Sequence, residues 1–286
     1  MTQQDRIVAL VDGSIYSASV CDHAAWIAQR TGAPVELIHV LGRRETAGTS
    51  DHSGAIKLGA RTALLNELAE LDAQRAKLIS HKGRAILEDA SAILAAAGVT
   101  DITTRLRHGD VVEAVAEVEP GARVILIGKR GEDADFAKGH LGSNLERIVR
   151  ASHKPVFVAS RAFKPISRVL VAYDGGASAM KAVDHIARSP LFQGLRVHVV
   201  TVGSSTPEVT RGLDDARAML KAAGIDAETS ILPGQPETAL GKLVDETPFD
   251  MLVMGAYGHS RIRSLIIGST TTAMIRSCKV PVVLMR

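Results

Sequence analysis

The chain alternates short, uninterrupted apolar runs with longer stretches in which apolar residues recur every three or four positions. Arg6-Ile7-Val8-Ala9-Leu10-Val11 is the first apolar run, closed by Asp12-Gly13-Ser14. From Ala18 to Arg30, the spacing of Val20, Ala24, Ile27 and Ala28 predicts a helix with one apolar face. Thr31-Gly32-Ala33-Pro34 ends that helix, and Val35 to Val40 reads as a second strand. Residues 42–55, rich in Gly, Ser, Thr and charge, predict an exposed loop. Ile56 to Ala97 is rich in Ala and Leu with dispersed charge, which predicts one long helix or two shorter ones, with Gly98 as the stop. Further strands are expected at Ile102–Leu106, Val124–Gly128 and Pro155–Val158, with helices from Val111 to Val118 and from Ser143 to Ala151.

The pattern then restarts. Arg168 to Gly176 matches the opening strand, and Asp174-Gly175 lies 162 positions after Asp12-Gly13. Val197–Val202 repeats the second strand, Met251–Gly255 the fourth, Gly268-Ser269 the pair Gly142-Ser143, and Val280–Leu284 the last. The Asp and the Gly-Ser pair are 130 residues apart in the first copy and 94 in the second, and the excess falls mostly between 41 and 98. A period this long is a duplicated domain rather than a solenoid repeat. Continuous apolar strands separated by amphipathic helices imply a parallel sheet covered on both faces. The expected fold is therefore two tandem doubly wound α/β domains with parallel sheets, residues 1–162 and 163–286, joined near Ala162 to Pro165. Such sheets bind ligands beyond the carboxyl ends of their strands.

Composition narrows the function. A net charge of +3 and 3% aromatic residues give neither the basic face nor the stacking platform of a nucleic-acid binder. No apolar run reaches the length of a bilayer span, and Met1 to Asp5 leads straight into a strand without a signal-peptide core. No membrane association and a cytoplasmic location are expected. Cys21 and Cys278 read as small buried hydrophobes. The ten histidines have no metal-ligand spacing and are expected mostly at the surface or at strand edges.

The most informative chemistry lies between Gly255 and Thr270. An apolar strand, Met251 to Met254, runs into glycines, then a short basic loop with Arg261 and Arg263, then Gly268-Ser269-Thr270 at a helix start. Glycines let backbone N–H groups approach an anion. A helix N-terminus adds unpaired donors and partial positive charge, and Ser269 and Thr270 add hydroxyls. Singly, each residue could merely turn the chain or cap a helix; in this order they point to a phosphate. The segment is neither a Walker loop, since no Gly-Lys-Ser/Thr follows, nor a dinucleotide G-x-G-x-x-G. No nucleophile or general base is visible beside it, so binding with slow hydrolysis at most is expected.

These residues resemble the universal stress protein family in its tandem two-domain form, over nearly the whole chain. The family's nucleotide loop is Gly, two residues, Gly, nine residues, Gly, then Ser or Thr, and Gly255, Gly258, Gly268 and Ser269 keep that spacing. The resemblance implies ATP, with Mg2+, in the second domain. It implies Asp174 in contact with the nucleotide and the backbone near Val202 against adenine. Gly255, Gly258, Gly268, Ser269 and Thr270 would hold ribose and phosphates. It also implies that the final strand, Val282 to Leu284, is a pairing edge through which the two halves join, and it allows a homodimer.

The first copy departs from the motif, with ten residues between Gly131 and Gly142, and Glu132, Asp133 and Asp135 within them. Those carboxylates oppose a triphosphate, while Lys129, Arg130 and Lys138 offset them in part. The first copy is thus either a second ATP site or a pseudo-domain that supplies the pairing partner. A stress-response regulatory protein that binds ATP is the expected function. A nucleotide-independent interaction scaffold is the alternative, with the helices between 56 and 97 either covering the sheet or forming a partner surface.

Overall fold

A computed structural model describes residues 5–42, 60–130, 142–256 and 268–286. The strands of the first copy are β1 (Arg6–Leu10), β2 (Val35–Leu41), β3 (Ile102–His108), β4 (Ala122–Gly128) and β5 (Val156–Ala159). Those of the second are β6 (Arg168–Ala172), β7 (Arg196–Val202), β8 (Ala227–Leu232), β9 (Met251–Gly255) and β10 (Val282–Met285). The helices are α1 (Ser17–Thr31), α2 (Ala60–Ala96), α3 (Val111–Val118), α4 (Ser143–Ala151), α5 (Ala177–Arg188), α6 (Pro207–Ala222), α7 (Pro236–Glu246) and α8 (Ser269–Ser277).

All ten strands form one sheet in the order β3-β2-β1-β4-β5-β10-β9-β6-β7-β8. Every pairing is parallel except β5 with β10, where Val158 meets Val282, Phe157 meets Val283 and Val156 meets Leu284. Phe157 and Val283 are equivalent positions in the two copies, so their pairing lies on a pseudo-twofold axis. The expected pairing of the halves through their last strands is therefore intramolecular: each copy closes the open edge of the other, which removes two unpaired strand edges.

Between its edge strands β3 and β8, the sheet is buried on both faces. Ile7 and Ala9 belong to one core layer with Val20, Leu87, Ala179 and Leu220, under α1, α2, α5 and α6. Val8 and Leu10 belong to the other with Val115, Ile148, Leu240 and Met274, under α3, α4, α7 and α8. This is why the strands read as continuous apolar runs. Helix ends follow local chemistry. The Asp110 carboxylate caps α3 by accepting from Val112 N at 2.8 Å, and Thr206 Oγ1 accepts from Val209 N at 3.3 Å at the head of α6, where Pro207 occupies the first turn.

The long Ala-rich region forms one helix of 37 residues from Ala60 to Ala96, and Gly98, with φ +85°, follows its end as expected. Its C-terminal part packs on β2, β3 and α1. Both cysteines are free and buried, and burial pushes the Cys21 thiol up to about 12 and the Cys278 thiol to about 11. Two histidines depart from the surface placement expected for most. His23 is fully buried and His39 is 6% exposed, its Nδ1 2.7 Å from Val11 O. His39 sits within the strand run 35–41, where both faces are covered, so burial follows from the run that holds it. No described helix is long and apolar enough to cross a membrane.

Candidate functional site

The carboxyl ends of β6, β7, β8 and β9 gather the candidate residues of the second copy. Asp174 follows β6, and Gly175, with φ +77°, turns the chain in a left-handed conformation that favours glycine. The Asp174 Oδ1 accepts from Gly176 N at 2.8 Å, which directs the turn into α5. Val202 ends β7 half-buried, and Thr201 Oγ1 donates to Tyr173 O at 2.7 Å, locking the ends of β6 and β7 together. Beyond Val202 lies a cleft of about 460 Å³ lined by Gly203, Ser204, Ser205, Ile231, Pro233 and Gly234. That volume lies within the range of small-molecule sites. Apart from Val202 at its edge, the sequence reading did not single out this cleft. The signal was present in the Gly-Ser-Ser and Pro-Gly turns that follow β7 and β8.

Gly255 ends β9, and a Cβ there would lie 2.9 Å from Ser178 Cβ at the head of α5. The glycine is thus required for the close approach of α5, independently of any ligand. Gly268 is the N-cap of α8, and no side chain among the described residues caps that helix. Its first N–H groups therefore have no intrahelical partner. Gly268 N donates to Ala256 O at 3.3 Å and Thr271 Oγ1 donates to Gly255 O at 3.1 Å, so the start of α8 is tied to the end of β9. Ser269 is exposed and Thr270 half-buried beside this start. Asp174, Val202, Gly255, Gly268, Ser269 and Thr270 thus lie at the carboxyl-end side of one half-sheet. Gly258, Arg261, Arg263 and His259 lie outside the described residues. No group of three or more His, Cys, Asp or Glu among the described residues could hold a metal.

At the equivalent end of the first copy, α2 packs over the strand ends. A Cβ on Gly13 would lie 2.9 Å from Ile86 Cδ1 of α2, whereas one on Gly175 would meet nothing within 4 Å among the described residues. Leu41, 2% exposed, stands where the second copy has Gly203, and α2 comes over it so closely that a Cβ on Gly83 would lie 3.3 Å from Leu41 Cδ2. Buried Tyr16 stands where the second copy has Ser178. Asp12 accepts from both Ser14 N at 3.0 Å and Ser17 Oγ at 3.2 Å; the position equivalent to Ser17 is Ala179, which has no hydroxyl. At the head of α4, Glu146 puts a carboxylate in the first turn, and α8 has no acid there. Lys129, a candidate cation of the first-copy loop, donates from Nζ to Cys278 O at 2.9 Å, at the C-terminal end of α8 in the other copy. Burial pulls its ammonium below the usual lysine range. The extended first-copy loop, residues 131–141 with Glu132, Asp133, Asp135 and Lys138, lies outside the described residues.

Each copy is a doubly wound α/β unit whose strand order reverses between its first and fourth strands, β1 and β4 in the first copy and β6 and β9 in the second. The universal stress protein family model matches the chain twice, over residues 4–160 and 165–286. A universal stress protein of Synechocystis sp. is 37% identical over 98% of this chain and 99% of its own length. The chain belongs to the universal stress protein family. Among solved structures, a universal stress protein from Archaeoglobus fulgidus has a TM-score of 0.73 at 22% identity, covering 99% of this chain and 97% of its own, and shares the tandem fold. A shorter universal stress protein solved in complex with cAMP covers 43% of this chain and 98% of its own at 30% identity, with a TM-score of 0.37.

Proposed function

We propose that this chain is a cytoplasmic stress-response regulatory protein that binds one ATP with Mg2+ in its second copy and turns it over slowly or not at all. The observation that carries this reading is the contrast between the two copies. The second keeps the loop spacing Gly255, Gly258, Gly268, Ser269 and has the cleft beside Gly203, whereas in the first Leu41 stands at the position of Gly203 and Ile86 of α2 packs on Gly13.

The residues present fit a nucleotide. Ile231 and Pro233 flank the cleft with apolar surface suited to a base, and the backbone at Val202 and Gly203 offers the hydrogen-bonding edge. Asp174 stands beside the start of α5, in reach of a ribose. The uncapped N-terminus of α8, with Ser269 and Thr270, suits phosphate oxygens through backbone donors and the helix dipole. Mg2+ would be held chiefly by those phosphates and water, which is its usual mode. Its part would be to neutralise phosphate charge.

Isothermal titration with Mg-ATP tests the reading. One site per chain is expected, with Gly268→Val abolishing it by blocking backbone approach and Ser269→Ala weakening it roughly tenfold, about 1.4 kcal/mol for one lost hydroxyl bond. Equal binding by wild type and Gly268→Val overturns it. The second reading, a nucleotide-independent scaffold, rests on the exposed leucines of α2. It gains if wild type takes up no nucleotide.

A further inference from the structure

The two ends of α2 have different surroundings. Gly83, Leu87, Ala90 and Leu94 are buried on the sheet and α1, but from Leu64 to Lys82 nearly every described position is exposed. Nineteen residues of helix, about 28 Å, thus project from the body. Single exposed leucines are ordinary on a protein surface. Here Leu64, Leu71 and Leu78, 38%, 55% and 71% exposed, follow one another at intervals of seven, with Leu68 between the first two. That is the spacing of a coiled-coil seam. A free helix of this length is marginal in water, and packing of an apolar stripe is what ordinarily stabilises one.

The charges along the arm say what covers the stripe. Glu67, Glu70 and Asp72 occupy its first half, and Arg75, Lys77 and Lys82 the second. A parallel copy would set acid beside acid and base beside base. An antiparallel copy sets each acidic half along a basic half, as a two-fold isologous interface requires.

We propose that the projecting arm of α2 pairs antiparallel with the same arm of a second copy of this chain. The two-fold axis falls between Gln74 and Arg75. Leu71 then lies beside Leu78 of the second copy, and Asp72 beside its Lys77. This interface is separate from the strand pairing inside the chain and from the nucleotide site, and it gives the inserted segment of the first copy a role: α2 packs over the strand ends of the first copy with one half and joins two chains with the other.

The test uses the full chain in sedimentation-velocity runs over a concentration series. Wild type is expected to dimerise, and the double variant Leu71→Lys, Leu78→Lys to be monomeric, with unchanged thermal unfolding of the body and unchanged nucleotide content. Reversing Glu67, Glu70 and Asp72 to Lys should also give monomers, and mixing that variant with one carrying Arg75→Glu, Lys77→Glu and Lys82→Glu should restore a dimer. Under oxidation, Gln74→Cys is expected to cross-link to itself. Glu67→Cys is not, because the two copies of that position lie about 22 Å apart across the axis. Cys21 and Cys278 are buried and give no background. A wild type that is monomeric throughout overturns the proposal, and so does a dimer that survives the double lysine variant. Self cross-linking at position 67 overturns the antiparallel arrangement.

Discussion

Ile86 of α2 stands over Gly13, its Cδ1 2.9 Å from where a Cβ of that residue would lie; among the described residues, nothing comes within 4 Å of the same point on Gly175. One fold thus carries two ends of different accessibility. The difference arises from an insertion rather than from the motif residues, since both copies keep the Asp-Gly turn, the glycine ending the fourth strand and the Gly-Ser helix start.

The seat of α2 can be probed at Gly83. Alanine in a helix interior is ordinarily better than glycine by about 1 kcal/mol. Here the added Cβ would lie 2.7 Å from Leu106 Cδ1 and 2.9 Å from the His39 ring, which Val11 O holds in place. Overpacking of this kind costs about 1–3 kcal/mol. Gly83→Ala should therefore lower stability in urea unfolding by about 1 kcal/mol, and a gain in stability would mean that α2 does not sit so closely on β2 and β3.

Lys129 separates a pairing role from a phosphate role. Its ammonium caps the C-terminal end of α8 across the two copies, as Arg286 Nη1 does for α4 through Arg150 O at 3.0 Å. Cations at helix C-termini contribute about 0.3–1 kcal/mol, and a charged hydrogen bond somewhat more. Lys129→Ala should cost about 1 kcal/mol in denaturation and leave Mg-ATP binding unchanged. Weaker ATP binding with unaltered stability would assign Lys129 to a first-copy nucleotide site instead.

The duplication and the parallel sheet were legible because each is written in short-range pattern: apolar runs, Asp-Gly turns and a Gly-Ser helix start in each copy. The packing of α2 over the first copy was not. Gly13 and Ile86 are far apart in sequence, and nothing in an Ala-rich stretch with dispersed charge says which end packs and which projects. Helices α6 and α7 carried signals that were left unused, Thr206-Pro207 and Gln235-Pro236, each a cap position followed by proline in the first turn. His23 was misplaced because a histidine on a helix face reads as polar. In the fold its ring packs between Phe157 and Phe163, with centroids 5.1 and 5.0 Å away.

That burial sets an acid limit. Desolvation holds His23 down at about 4, against an ordinary 6.5, although the contact of Nδ1 with Ser19 O at 2.6 Å opposes the shift. Its Nε2 has no partner, so a proton there would be buried unpaired. The unfolded chain takes up the proton more readily than the folded one. Stability is therefore full above about pH 6.5 and falls as the pH drops toward 4, by up to roughly 3 kcal/mol. Urea titrations at a series of pH values should show this slope, and His23→Leu should flatten it. An identical slope in that variant would assign the acid sensitivity to other groups.

The most direct test of the one-open-site account is the nucleotide content of the purified chain after incubation with Mg-ATP and desalting, released by denaturation and resolved by chromatography. One adenine nucleotide per chain is expected in wild type and none in Gly268→Val. Two per chain would contradict the closed first copy, and none in wild type would contradict the nucleotide reading itself.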